Sequence, residues 1–326
     1  MDYFAGLVGQ EKTIKFLQRI ISNRDINHAY LFWGAAGIGK MQAARAFAHA
    51  LISQEDYQAH IYLKEGIHPD LNIIEIIEGK TRISREQIVK ELEPWLAKKP
   101  YQAQHRVVLI RDAHLMTPEA SNALLKTLEE PPAHSLIILV ADDQNILETI
   151  VSRCTVISFN PPSIAQVKEF LLGKGFDEES AFSIARLAQG NISTAVRLGE
   201  AEKFQELWSR AIEVIQEIYQ GGMAKAIETA QGMDDDAELL ITTIEAVLRD
   251  LLVYEKSKDA ELLHFPASLN LKEMLGNIDY NGLEKAIIDI DRMKKYYNSN
   301  MNKLGLNINI CFSIWDAINS SQKQGR

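Results

Sequence analysis

The chain has 326 residues, 46% of them apolar and 24% charged, which suits two or three globular cores and excludes wholesale disorder and fibrous classes. Its 44 acidic against 35 basic residues leave a formal charge of −9, an argument against a dedicated high-affinity nucleic-acid binder that still allows a basic strip or basic partner subunits. Two cysteines, Cys154 and Cys311, make no disulfide framework; no apolar run nears the roughly 20 residues of a membrane span, and the start lacks a signal-peptide pattern, so a cytoplasmic chain without membrane contact is expected.

In chain order, residues 1–160 alternate helical spacing with short apolar runs, as expected when helices cover both faces of a mostly parallel sheet. Strands are predicted at Ala29 to Trp33, Leu71 to Ile77, Val107 to Ile110 and Leu136 to Val140, with a further strand ended by Pro161-Pro162. Helices are predicted over Lys12 to Ser22, Met41 to Ser53, Ser84 to Lys98 and Pro118 to Leu128, the last capped by Thr117.

Ser163 then opens a different texture: short helices at Ile164 to Leu171, Glu178 to Gln189 and Ile192 to Gly199, a small helical lid over 161–202. From 203 to 326 the pattern is all helical. Stripes at Phe204, Leu207, Trp208, Ala211, Ile212, Ile215 and Ile218, at Leu240, Ile244, Val247, Leu248 and Leu251, and at Ile308, Cys311, Phe312, Trp315 and Ile318 predict a bundle.

The strongest chemical signal is Gly34-Ala35-Ala36-Gly37-Ile38-Gly39-Lys40, a G-x-x-x-x-G-K loop between a predicted strand and helix. Gly34, Gly37 and Gly39 let backbone amides wrap a phosphate, the helix offers its positive end, and Lys40 reaches the terminal phosphates. The next position breaks the pattern. Met41 stands where a hydroxyl would ligate magnesium, and a thioether is a poor ligand for so hard an ion. The strand Val107 to Ile110 runs into Arg111-Asp112 rather than two acids, so a cation replaces the metal-binding acid and only Asp112 remains as a candidate base.

With these signals, Val8-Gly9-Gln10, His28 to Phe32, His68-Pro69-Asp70-Leu71, Asn122-Ala123-Leu124-Leu125-Lys126-Thr127-Leu128-Glu129-Glu130-Pro131-Pro132 and Thr149-Ile150-Val151-Ser152-Arg153-Cys154 complete a pattern over residues 8–154. In that stretch the chain resembles the bacterial DNA polymerase III clamp-loader subunits of the AAA+ group, and the delta-prime branch in particular. The resemblance implies an AAA+ P-loop α/β domain at 1–160, the lid at 161–202 and an all-α oligomerisation collar at 203–326. It also implies that Arg153, in its Ser152-Arg153-Cys154 setting, is an arginine finger offered in trans to the ATP site of a neighbouring subunit.

Expected partners are gamma/tau ATPase subunits and a delta subunit, with the sliding clamp and primer-template DNA reached through the complex. No cofactor is required, and any nucleotide or anion binding at the loop is weak. Zinc is not expected, since the four-cysteine module common in such relatives is missing from 50–67, and His49, His60 and His68 read as packing or surface residues. In the lid, where a sensing arginine is usual, Thr194 stands at the best-matching place and Arg197 one turn later. The alternatives are an active clamp-loader motor or other AAA+ ATPase, and a DNA-binding initiator, for which the sequence offers no helix-turn-helix signal or basic C-terminal helix.

Overall fold

A computed structural model describes the chain except residues 1, 55, 57, 65, 143–145, 201–203, 234–236, 265–274, 276–279, 295, 298–301 and 324–326. Two compact units emerge, residues 1–170 with 189–194, and residues 171–188 with 195–326. The division passes through the stretch expected as a lid, and the expected lid-to-collar boundary at 202–203 lies outside the described residues.

The first unit contains α1 (Glu11–Asn23), β1 (Ala29–Trp33), α2 (Lys40–Ser53), α3 (Ala59–Lys64) and β2 (Leu71–Ile74). A π-helical stretch (Gln87–Leu92) leads into α4 (Glu93–Leu96), then come β3 (Arg106–Ile110), a 3-10 turn (Ala113–Leu115), α5 (Pro118–Glu129), β4 (Ser135–Ala141), α6 (Glu148–Val151), β5 (Thr155–Ser158) and α7 (Ile164–Gly173), whose last residues pass into the second unit. The five strands are parallel in the order β2-β3-β4-β1-β5, so every connection is a crossover that leaves helices on the faces of the sheet, the α/β arrangement expected of the AAA+ class.

Strand alternation sorts the core. Tyr30, Phe32, Val107, Leu109, Leu136, Ile138 and Val140 point to the face covered by α1 and α2, while Leu31, Val108, Ile110, Ile137, Leu139 and Ala141 point to the face covered by the π-helical stretch and α5. The strand expected over Leu71 to Ile77 stops at Ile74, because beyond it the Glu75 carbonyl accepts from Gln87 Nε2 and Ile77 turns to solvent. The expected helix Ser84 to Lys98 is π-helical through Leu92 before Pro94 enters α4. Thr117 caps α5 as expected, its Oγ1 accepting the Ala120 N–H at 3.1 Å.

The second unit is helical: α8 (Glu178–Ala188), α9 (Ile192–Glu200), whose first three residues belong to the first unit, α10 (Phe204–Gln231), α11 (Ala237–Ser257), α12 (Tyr280–Lys294) and α13 (Lys303–Lys323). Helix α10 is broken at Gly222 (φ 65°, ψ −157°), past the end of its apolar stripe. The stripe on α13 differs from expectation: Leu306, Ile310, Cys311, Ile314 and Ile318 are buried, whereas Phe312 is exposed and Trp315 half-buried against it. Among the described residues, no helix is long and apolar enough to cross a membrane.

Candidate functional site

The glycine loop leaves β1 at Trp33 and delivers Lys40 as the first residue of α2. Gly39 precedes that helix in the left-handed region (φ 95°, ψ 11°), a conformation that costs residues with a Cβ roughly 1–2 kcal/mol. Gly37 (φ 72°) lies so close to the Asn191 side chain that a Cβ there would overlap it, and its carbonyl accepts the Ser193 N–H at 3.1 Å. Asn191 in turn caps α9, its Oδ1 accepting the Thr194 N–H at 2.9 Å. Gly34, Gly37, Gly39 and Lys40 thus share one loop, with the turn before α9 laid over it.

Lys40 does not face an open cradle. Its side chain is only 3% exposed, and the ammonium donates to the Ala35 carbonyl and sits 2.6 Å from Asp142 Oδ1. Asp142 directly follows β4, and its N–H donates to His114 Nδ1 at 3.3 Å. Beside it, Asp112 opens the 3-10 turn after β3 in the left-handed region (φ 52°). Burial raises the Asp112 carboxyl above the usual carboxylate range, the Asp142 charge adds to the rise, and Arg111, His114 and Lys40 oppose it. The half-exposed Arg111 guanidinium reaches Glu75 Oε2 at 3.5 Å and Asp112 Oδ2 at 3.7 Å.

The candidate finger lies in a second cluster. Helix α6 ends at Val151, Ser152 caps it with its Oγ donating to the Thr149 carbonyl at 3.1 Å, and Cys154 packs its side chain on the sheet core. Burial pushes the Cys154 thiol up to about 12, which makes it an anchor rather than a nucleophile. Between these two, Arg153 points outward with its side chain 34% exposed. Its Nη1 donates to the Thr149 carbonyl at 2.8 Å and to Ser152 Oγ at 3.4 Å, and its Nη2 donates to Glu129 Oε1 at 2.7 Å. Glu129 is the last residue of α5, the helix that carries the Leu-Lys-Thr-Leu-Glu-Glu run.

The His68-Pro69-Asp70-Leu71 motif has a structural task. His68 is buried; its Nδ1 accepts the Asp70 N–H at 3.0 Å, which leaves Nε2 to donate to Asp56 Oδ2 at 3.1 Å. The fully buried Asp70 carboxylate accepts from the N–H groups of Tyr101, Gln102 and Ala103 at 2.6, 2.8 and 3.0 Å. This network ties together 56–70 and 101–103.

The family described as "DNA polymerase III, delta subunit" matches residues 9–163. The delta' subunit of Bacillus subtilis DNA polymerase III is 25% identical over 311 residues, 91% of this chain and 93% of that protein. The delta' subunit of Pseudomonas aeruginosa is 28% identical over 291 residues, 86% of this chain and 88% of that protein. The chain is delta-prime-like, similar to these clamp-loader subunits over most of its length. The tau/gamma subunit of Haemophilus influenzae is 27% identical over 296 residues, 82% of this chain but only 41% of that protein, so likeness to the tau/gamma branch stops well short of the relative's length.

For a delta-prime-like chain the fit of magnesium at the loop can be tested directly. Met41 packs against the sheet core and offers sulfur, and Arg111 is turned to Glu75 and Asp112. Among the described residues Asp112, His114 and Asp142 bring ligand atoms within 4.8 Å of one another, but Lys40 and Arg111 already neutralise the two carboxylates. The residues present do not fit the magnesium of an ATPase loop. In the lid, Thr194 offers no cation, and Arg197 pairs with Glu238 Oε2 at 3.1 Å, on helix α11.

Proposed function

We propose that this chain is the non-hydrolysing, delta-prime-type subunit of a DNA polymerase III clamp loader, working in the cytoplasm and lending Arg153 to the ATP site of a neighbouring subunit. Its partners are gamma/tau-type ATPase subunits and a delta subunit, and it meets the sliding clamp and primer-template DNA through them. The single observation that carries the reading is the contrast between two cations of one sheet domain: the Lys40 charge is buried on Asp142, while the Arg153 fork stands at the surface. A guanidinium stays charged and planar, and its donors match the equatorial oxygens of a transferring γ-phosphate. The Glu129 carboxylate and the Thr149 carbonyl fix the orientation of the fork at the surface, so part of its side-chain entropy is already lost before a partner's site exchanges these contacts for phosphate oxygens.

Reconstitution with the ATPase subunits, delta and the clamp tests this. In single-turnover measurements Arg153→Ala is expected to slow the one site it completes by a factor on the order of 10³ or more, with assembly unchanged. Undiminished hydrolysis at matched assembly refutes the finger role. Steady magnesium-dependent hydrolysis by the purified chain, lost in Lys40→Ala, refutes the non-hydrolysing role and restores the motor.

A further inference from the structure

We propose that Asp142 is the residue that excludes phosphate from the glycine loop, its carboxylate serving as a built-in anion on Lys40. The inference rests on the non-hydrolysing reading above and deepens it. A phosphate loop is a ring of N–H donors closed by one lysine charge, and that charge must be free to meet a phosphate oxygen. Here the ammonium is withdrawn from solvent, hydrogen-bonded to the Ala35 carbonyl inside its own loop and paired with Asp142 at 2.6 Å. A buried ammonium demands a counterion, and Asp142 supplies one without a ligand.

The geometry of Asp142 is fixed rather than incidental. It is the first residue past β4, whose register runs alongside β1 up to Trp33 and Ala141, so the end of the strand places it beside the start of the loop. Its N–H is tied to His114 of the adjoining 3-10 turn. A di- or triphosphate entering the loop would have to displace Asp142 from Lys40 and then lie beside two carboxylates, Asp112 and Asp142. Among the described residues, Lys40, Arg111 and, when protonated, His114 stand against these. Like charges so arranged cost a ligand at least about tenfold in affinity. The cover over Gly37 by Asn191 and Ser193 narrows the loop further. The loss of hydroxyl and acid at positions 41 and 111 weakens magnesium, but Asp142 acts on the phosphate itself and needs no metal to do so.

The test uses the full chain, a fluorescent ADP analogue and inorganic pyrophosphate, without magnesium. Asp142→Asn, matched in volume, and Asp142→Ala are both measured, with folding checked by circular dichroism. Either variant is expected to bind both probes at least about tenfold more tightly than the native chain, and to lose that gain when combined with Lys40→Ala. The proposal fails if both folded variants bind no more tightly than the native chain, or if the gain survives Lys40→Ala. The finger role is measured separately by Arg153→Ala in the reconstituted loader, so each idea can fail alone.

Discussion

The phosphate loop and the Ser152-Arg153-Cys154 corner stand on the same parallel sheet and place a basic side chain by opposite means. At the loop, a flexible lysine begins a helix, folds back on its own carbonyl and gives its charge to Asp142. At the corner, Ser152 closes one helical turn, Cys154 anchors in the core and the arginine between them is forced outward. The first arrangement satisfies the chain internally; the second leaves a charge whose carboxylate partner, Glu129, is half-exposed and replaceable. Retention of a glycine loop is therefore poor evidence of an engine, whereas the direction in which a charge is spent is informative.

The largest expected effect is at the corner. Arg153→Lys keeps the charge but discards the planar fork, and turnover at the completed site should fall by roughly 10² or more, close to the alanine variant. Native-like rates with lysine would show that any cation suffices, and the contrast with Lys40 would lose its chemical meaning. Next comes the loop. Lys40→Met should destabilise the fold by about 1–3 kcal/mol in denaturant unfolding, less than for a wholly buried pair because Asp142 is 31% exposed and can turn to water. A double-mutant cycle with Asp142→Asn should return a coupling of about 1 kcal/mol or more, and zero coupling would break the pairing on which the comparison depends.

A smaller effect concerns Asp112. Its folded pKa is raised by burial and by Asp142, so the folded state holds the proton more tightly than the unfolded one, and stability is lost as pH rises from the usual carboxylate range through the folded midpoint. Asp112→Asn removes that loss: its melting temperature should equal that of the native chain in acid and exceed it at neutral pH. An unchanged or lowered melting temperature at pH 7 would mean that the Arg111 contact outweighs burial.

Much of this was readable in advance. Local signals located the strand, glycine loop and helix and the misfit of Met41 and Arg111, and the family resemblance pointed to the corner at Arg153. The pairing of Lys40 with Asp142 was not, because it joins residues a hundred positions apart and an aspartate after a buried strand looks like any strand end. Asn191 over Gly37 was hidden for the same reason. Errors in the elements have local causes: Leu71 to Ile77 reads as one apolar run, yet Glu75 leaves the sheet to receive Gln87 and meet Arg111. On α13 the periodicity gave a helix but rotated its face, since Phe312 and Trp315 are large enough to suggest core wherever they fall.

The smallest expected effect tests whether the corner is prepared in advance. Glu129 accepts from Arg153 at 2.7 Å, but exposed pairs of this kind contribute about 0–1 kcal/mol, so Glu129→Gln should leave the melting temperature almost unchanged. If the carboxylate holds the fork for its task, the same variant should still slow the completed site, because a neutral amide orients the guanidinium less firmly. A reduction of about two- to fivefold in the single-turnover rate matches a loss of under about 1 kcal/mol. A faster rate would instead mean that Glu129 restrains the arginine and must release it before hydrolysis. The two outcomes have opposite signs, which makes this modest substitution a test of whether the surface cation is presented or withheld.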